Sequence, residues 1–129
     1  MKYQFKIPQL PPSSNEMYII NFRQRRVVLH PKASAFKYQV KLFTPRMTFP
    51  HWSLLAVHAE YHANWFTKNE KKPKRRDAQN FNKLLYDAIF EKISIDDSFA
   101  FSGSWAKIQN DSKEFTLVTL TTVELRRNV

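Results

Sequence analysis

Residues 55–65 read LAVHAEYHANW, the most regular alternation of apolar and polar side chains in the sequence. In an extended strand successive side chains point to opposite faces, so residues of one parity share a face. The odd-numbered face comprises Leu55, Val57, Ala59, Tyr61, Ala63 and Trp65. The even-numbered face comprises Ala56, His58, Glu60, His62 and Asn64. The pattern predicts a strand with one buried face, around which the other elements can be arranged.

Two segments repeat apolar residues at the spacing of an amphipathic helix. The first begins after Pro31 and has apolar positions at Ala33, Phe36, Val40 and Phe43. The second extends from near Asp77 to near Ile93, with apolar positions at Phe81, Leu84, Leu85, Ala88 and Ile89. We expect each helix to pack its apolar face against the sheet.

Other segments predict strands. Residues 2–7 alternate polar and apolar side chains, and residues 19–22 and 27–29 flank a basic tip, which predicts a hairpin. Residues 99–105 alternate again, and residues 115–125 form a β-branched run. Since no internal repeat or linker interrupts these elements, we expect a single α+β domain over residues 1–129. Its mixed or antiparallel sheet would be packed by two main helices.

Composition narrows the class of protein. Hydrophobic residues make up 43% and aromatic residues 15% of the chain, which favours a folded domain over a basic tail. The single glycine, Gly103, excludes a glycine-rich phosphate loop, so we expect no nucleotide cofactor. The lack of cysteine excludes disulfides and zinc ribbons. With no apolar run of membrane-spanning length and no signal-peptide pattern, we expect a cytoplasmic protein without a membrane partner.

The basic residues indicate a polyanionic partner. Lys+Arg number 21 against 11 Asp+Glu, which gives a net charge of +10. Such a charge favours association with nucleic acid or an anionic surface, and clustering of the basic residues favours nucleic acid. The candidate DNA-binding residues are Arg23, Arg25, Arg26, Lys71, Lys72, Lys74, Arg75 and Arg76.

Residues 71–83, KKPKRRDAQNFNK, admit several interpretations. A basic run of this kind is typical of a nuclear-import signal or a solvated loop, and Asp77 at a helix start can cap backbone N–H groups. Neither interpretation explains why the pair Asp96-Asp97 follows the same helix. A strand–loop–helix–turn path can bring Asp77 and Asp97 to neighbouring strand ends, where two carboxylates can share a divalent cation.

A second candidate metal site lies on the polar face of the 55–65 strand. His58, Glu60 and His62 would point to the same side. The HExxH zinc motif, however, needs histidines four apart on a helix with the glutamate directly after the first. A solvated polar face is therefore the favoured interpretation.

Magnesium chemistry suits the residues around position 77. Mg²⁺ binds through one or two carboxylates and keeps several waters, with substrate phosphate completing its coordination. A nearby lysine would offset the charge that develops on the phosphate, and a basic loop would contact neighbouring backbone phosphates.

These residues resemble the core of the RusA family of Holliday junction resolvases. The segments that carry the resemblance are 77–83 (DAQNFNK), 86–88 (YDA) and 95–98 (IDDS). The family pattern is Asp-x-Asp-Asn, a lysine three residues later, an Asp-Ala or similar pair in the helix, and Asp-Asp about a dozen residues further on. Residues 11–15 (PPSSN), followed by Tyr18, are also similar to the family's opening Pro-Pro-Ser-x-Asn turn.

The resemblance implies a homodimeric, Mg²⁺-dependent endodeoxyribonuclease, bacterial or phage-encoded, in which Mn²⁺ can replace Mg²⁺. Its substrate would be four-way or other branched DNA, cut by paired nicks in DNA recombination and repair. The roles implied are catalysis and metal binding by Asp77 and Asp97 and catalysis by Lys83. Asp96 and Gln79 would be further metal ligands, and Asn80 would position the site.

Gln79 departs from the family pattern, which has a second aspartate at this position. An amide oxygen can ligate a cation but adds no negative charge. If Asp96 or Glu60 supplies the missing carboxylate, cleavage is retained; if neither does, the protein is a weak or inactive nuclease that binds branched DNA. An unrelated RNA-binding module is a third interpretation, disfavoured by the acidic turn and by the lack of an aromatic RNA-binding motif.

Overall fold

Six strands and two helices make up the regular structure of the described residues, which in this computed structural model are 1–12, 18–69, 71–74, 76 and 78–125. The strands are β1 (Lys2–Ile7), β2 (Tyr18–Asn21), β3 (Arg26–Leu29), β4 (Leu54–Ala63), β5 (Ala100–Gln109) and β6 (Phe115–Val123). The helices are α1 (Pro31–Phe43) and α2 (Ala78–Ile93). A 3₁₀ turn, Asp97–Phe99, connects α2 to β5.

The main sheet has four strands in the order β1-β6-β4-β5. Strand β6 pairs antiparallel with both β1 and β4, whereas β5 pairs parallel with β4. The parallel pair follows from the connection, because α2 crosses over the sheet between β4 and β5. The sheet is therefore mixed, and the predicted α+β class is confirmed.

Strand β4 has the predicted alternation and defines the buried side of the sheet. Its odd-numbered residues from Leu55 to Ala63 are buried, while its even-numbered residues are partly exposed. Helix α2 packs on the buried side, where the rings of Phe81 and Tyr61 meet at 5.2 Å and the Tyr86 hydroxyl donates to the Val57 carbonyl at 3.3 Å. The two helices and the odd-numbered face of β4 thus enclose the core.

Both predicted helices are confirmed, but one predicted core residue is not buried. In α1, Ala33, Phe36 and Val40 are buried, whereas Phe43 is 43% exposed. The helix ends at Phe43, and Thr44 turns inward, with its hydroxyl donating to the Val40 carbonyl at 2.6 Å. No helix among the described residues has the length and apolarity needed to cross a bilayer.

Strands β2 and β3 form a separate two-stranded antiparallel sheet, which confirms the predicted hairpin. Residues 22–25 connect the two strands. Of the predicted turn at residues 11–15, positions 13–15 lie outside the described residues. Two predicted strands have shifted limits, since β5 extends to Gln109 and β6 ends at Val123 rather than at position 125.

Candidate functional site

Helix α2 has one buried face and one polar face. The buried face comprises Ala78, Phe81, Leu84, Leu85, Ala88, Ile89 and Phe90. On the polar face, Asn80 and Asp87 are partly exposed and Lys83 is exposed. Because residues three and four apart are neighbours on a helix, Lys83 and Asp87 lie side by side. Helix α2 is therefore amphipathic, as its apolar spacing predicts.

A shallow cavity of about 200 Å³ separates α2 from the acidic turn that follows it. Asp87 and Asp97 both line it, together with Phe90, Glu91 and Ile95. Burial raises the pKa of the Asp87 carboxyl, the positive charges of Lys37 and Lys83 oppose this, and the negative charges of Asp97 and Glu91 add to it. Two aspartates thus line the same small space, and the positive charge of the exposed Lys83 acts on one of them, Asp87.

Glu91 anchors α1 to the rim of this cavity. Its carboxylate pairs with Lys37 at 2.7 Å and with Lys41 at 2.6 Å. Hydrogen bonds from these two lysines lower the pKa of Glu91 below its ordinary value. Since Lys37 also acts on Asp87, helix α1 contributes positive charge to a site otherwise built from α2 and the acidic turn.

The acidic turn is held by its own backbone. Asp96 caps the 3₁₀ turn, and its Oδ1 accepts from the Ser98 backbone N–H at 2.8 Å. Hydrogen bonds from Ser98 lower the pKa of the Asp96 carboxyl, which is fully exposed. Asp97 is the first residue of the turn and is exposed beside the cavity. The cap therefore orients Asp97, while Asp96 uses one of its oxygens for the turn.

Two other predicted site residues lie at the start of α2. Asp77, predicted to bind metal, lies outside the described residues, as does Arg75. Gln79 is exposed on the first turn of α2. Among the residues that the structure describes, no three His, Cys, Asp or Glu side chains form a group that could hold a metal ion. Asp87 and Asp97 are the two aspartates of the described residues that line the cavity beside α2.

The basic loop after β4 is folded rather than extended. Its backbone is closed by hydrogen bonds from Lys74 N–H to the Trp65 carbonyl at 2.7 Å and from Thr67 N–H to the Lys72 carbonyl at 2.8 Å. Lys71 and Lys72 are exposed, whereas Lys74 is partly exposed. This geometry holds the lysine side chains of a short loop near the start of α2.

Arg76 differs from the other basic residues of the loop. Its guanidinium lies 5.6 Å from the Trp65 ring and 5.5 Å from the Phe81 ring, and it pairs with Glu114 at 3.5 Å. The Arg76 carbonyl accepts a hydrogen bond from the Lys107 ammonium at 2.7 Å. Arg76 therefore fastens the loop to the core as well as contributing charge.

The second basic cluster lies at the tip of the β2–β3 hairpin, where Arg23, Arg25 and Arg26 are exposed. The root of the hairpin approaches α2, since the Lys83 ammonium lies 5.9 Å from the centre of the Tyr18 ring. The root of the hairpin thus lies near the polar face of α2.

The His58–Glu60–His62 face of β4 is not connected to this site. Glu60 lies 3.1 Å from His62 and 3.6 Å from His58, and His58 Nδ1 contacts the Ser104 hydroxyl at 2.6 Å. These residues point away from the sheet face that α2 covers, because strand side chains alternate. The expectation that Glu60 could replace the missing carboxylate near Gln79 is therefore wrong.

Comparison with known proteins identifies the family of the chain. The family model for Endodeoxyribonuclease RusA matches residues 8–120 of the 129-residue chain. The chain belongs to the RusA family. A search of curated proteins gave no match. Membership implies an endodeoxyribonuclease that acts on Holliday junctions, in agreement with the resemblance found in the sequence.

Sequence reasoning on this RusA-family chain gave no site role to two residues that the structure places at the cavity. Asp87 entered only as part of the segment YDA that carries the family resemblance, and Lys37 was given no role. The spacing of four residues between Lys83 and Asp87 was a usable signal for the first. No local signal identifies Lys37, because its contribution depends on how α1 packs beside α2.

Proposed function

We propose that this RusA-family protein is a Mg²⁺-dependent endodeoxyribonuclease that makes paired nicks in four-way DNA junctions. The observation that carries the proposal is the cavity shared by Asp87 and Asp97, next to Lys83, in a chain of this family. The nuclease domain would span residues 1–129 and act in DNA recombination and repair, in the cytoplasm of a bacterium or of a phage host.

The donor set suits magnesium better than a soft metal. Asp77, Asp97 and Asp96 offer carboxylate oxygens and Gln79 offers an amide oxygen, which are ligands that Mg²⁺ accepts. When bound, the ion would polarise the scissile phosphate and lower the pKa of a coordinated water. Mn²⁺ could occupy the same oxygen ligands.

Asp87 would compensate in part for the neutral side chain of Gln79. It is partly buried beside Asp97, so its negative charge acts through a medium less polarisable than water. Lys83 is exposed on the same helix face and would balance charge that develops on the scissile phosphate. Asn80, one turn before Lys83, would position the phosphate or the metal ligands.

The basic residues would contact DNA backbone on both sides of the cut. Lys71, Lys72, Lys74, Arg75 and Arg76 would bind phosphates near the start of α2, and Arg23, Arg25 and Arg26 would bind them beyond Lys83. Two symmetric cuts on one junction require two sites related by a two-fold axis, so the active species would be a homodimer.

A second function is favoured by Gln79 itself. If the carboxylates around the cavity do not retain Mg²⁺ without a charge at position 79, the protein would bind branched DNA and cleave it weakly or not at all. The two functions share fold and substrate and differ only in turnover.

The test is cleavage of a labelled synthetic four-way junction with Mg²⁺. We expect symmetric nicks from the wild type, and their loss in the Asp77→Asn and Asp97→Asn variants with most junction binding retained. Asp111→Asn, an exposed aspartate in the turn before β6, is the matched control and should cleave normally. Binding without nicks at any Mg²⁺ or Mn²⁺ concentration would contradict the nuclease function and support the second function, binding of branched DNA without cleavage. Equal binding of junction and linear duplex would contradict both.

A further inference from the structure

The tip of the β2–β3 hairpin presents an aromatic ring to solvent. Phe22, the first residue of the loop between the strands, is 84% exposed, more than any other large apolar side chain described. Ile20 and Val27, which pair across the two strands below it, are 62% and 63% exposed. An exposed apolar patch of this kind usually marks a binding surface.

The loop that carries Phe22 has internal order. The Asn21 side-chain oxygen accepts from the Gln24 backbone N–H at 3.1 Å, and the Asn21 amide donates to the Gln24 side chain at 3.4 Å. Arg25 adopts a left-handed backbone conformation, with φ of 50°, that closes the loop. These bonds hold the loop in a defined conformation, which reduces the entropy lost when the ring binds a partner.

The positive charge around Phe22 favours a negatively charged partner. Arg23, Arg25 and Arg26 are all exposed beside the ring, and residues 18–29 contain no acidic side chain. A surface that combines arginines with an exposed aromatic ring complements single-stranded or unstacked nucleic acid, which offers phosphates and base faces together. A second copy of this hairpin would bring arginines of like charge together, which disfavours it as the occupant.

The position of the hairpin relates Phe22 to the proposed nuclease site. Tyr18, at the root of β2, lies against Lys83, and Phe22 is four residues further along the strand. At the rise of an extended strand, four residues span roughly 13 Å. The ring therefore lies several base-pair steps from Lys83 rather than at the scissile phosphate.

We propose that Phe22 stacks on an unpaired or unstacked base at the branch point of the DNA, while the arginines beside it hold the flanking phosphates. Bases at a branch point lose part of their stacking, so an apolar side chain can enter there at lower cost than in a continuous duplex. The inference rests on the proposed function, because it assumes branched DNA as substrate, and it adds the group that distinguishes a branch from a linear duplex.

The test measures binding with Ca²⁺ in place of Mg²⁺, so that cleavage plays no part. We expect Phe22→Ala to weaken junction binding roughly tenfold while changing linear-duplex binding less than about twofold. Phe22→Trp should restore junction binding. The matched control is Tyr38→Ala on α1, which removes an aromatic ring of 64% exposure outside the hairpin and should leave both affinities unchanged.

A fluorescent base analogue locates the contact. With 2-aminopurine at the branch point, the wild type should change its fluorescence and Phe22→Ala should not; with the analogue in the middle of an arm, neither should. Equal loss of junction and duplex binding in Phe22→Ala, or no fluorescence change at the branch, would overturn the inference. So would a dimer that dissociates in analytical ultracentrifugation when Phe22 is replaced, since the tip would then bind a second copy.

Failure of the inference is separable from failure of the proposed function. If the wild type shows no preference for junctions, the proposed function itself is contradicted. If the wild type prefers and nicks junctions while Phe22→Ala keeps full affinity, only the role of Phe22 is contradicted.

Discussion

The polar face of α2 and the tip of the β2–β3 hairpin are both charged surfaces, and they are built in different ways. On α2, the carboxylates of Asp87 and Glu91 lie beside lysines on a helix whose opposite face is buried in the core. On the hairpin, three arginines surround an exposed ring on a two-stranded sheet of its own. A packed helix holds groups in a fixed geometry, as chemistry requires, whereas the hairpin offers area and charge for contact.

The largest expected difference between the two regions is in their contribution to the free energy of unfolding. Phe81→Ala on the buried face of α2 should lower the free energy of unfolding by about 3–5 kcal/mol, because it leaves a cavity between Tyr61, Trp65 and the helix. Ile20→Ala on the exposed hairpin should change it by no more than about 0.5 kcal/mol. Urea unfolding followed by circular dichroism measures both, and equal losses would show that the hairpin packs more tightly than its exposure indicates.

Catalysis should depend on the polar face of α2 and on the acidic turn that follows it, and not on the hairpin. Lys83→Ala should slow junction nicking on the order of 100-fold, since it removes the positive charge proposed to balance the scissile phosphate. Junction affinity should change little, because other basic residues bind the backbone. Lys92→Ala, an exposed lysine in the last turn of the same helix, is the matched control. A parallel loss of rate and affinity in Lys83→Ala would assign the lysine to binding instead.

Gln79→Asp should increase metal binding and nicking. A carboxylate at position 79 would add negative charge to the proposed metal site and should lower the Mg²⁺ concentration for half-maximal nicking roughly tenfold. The gain should vanish in an Asp77→Asn background, which removes a carboxylate proposed as a metal ligand. Unchanged Mg²⁺ dependence in Gln79→Asp would show that Asp87 and Asp96 already provide enough negative charge.

The smallest effect concerns the ion pairs between α1 and α2. Glu91→Gln should lower stability near neutral pH by at most about 1 kcal/mol, since the carboxylate is about half exposed and solvent screens its pairs. The pKa of Glu91 is lowered by folding, so its contribution is present above the ordinary glutamate pKa and is lost as pH falls through the lowered value. The melting temperatures of the wild type and the variant should therefore differ near neutral pH and become equal at acidic pH.

The sequence alone determined most of the secondary structure and the family of the protein. Alternation in residues 55–65 and helical spacing in 77–93 are local patterns, set by which side chains must leave water, and β4 and α2 follow them. The RusA motif likewise predicts site roles for Lys83, Asn80, Asp96 and Asp97 without reference to distance. Phe43 was mispredicted because its burial depends on where α1 ends, which the apolar spacing does not fix.

Only the tertiary structure decided which charged groups meet. Asp87 and Asp97 share a cavity because the chain turns back through Asp96 and Ser98, and Lys37 joins them because α1 packs beside α2. Glu60 does not join these charged groups, because its side chain lies on the opposite face of β4. The guanidinium of Arg76 packs next to the rings of Trp65 and Phe81. Electrostatic interaction depends on separation and burial in space, and neither quantity is a function of spacing along the chain.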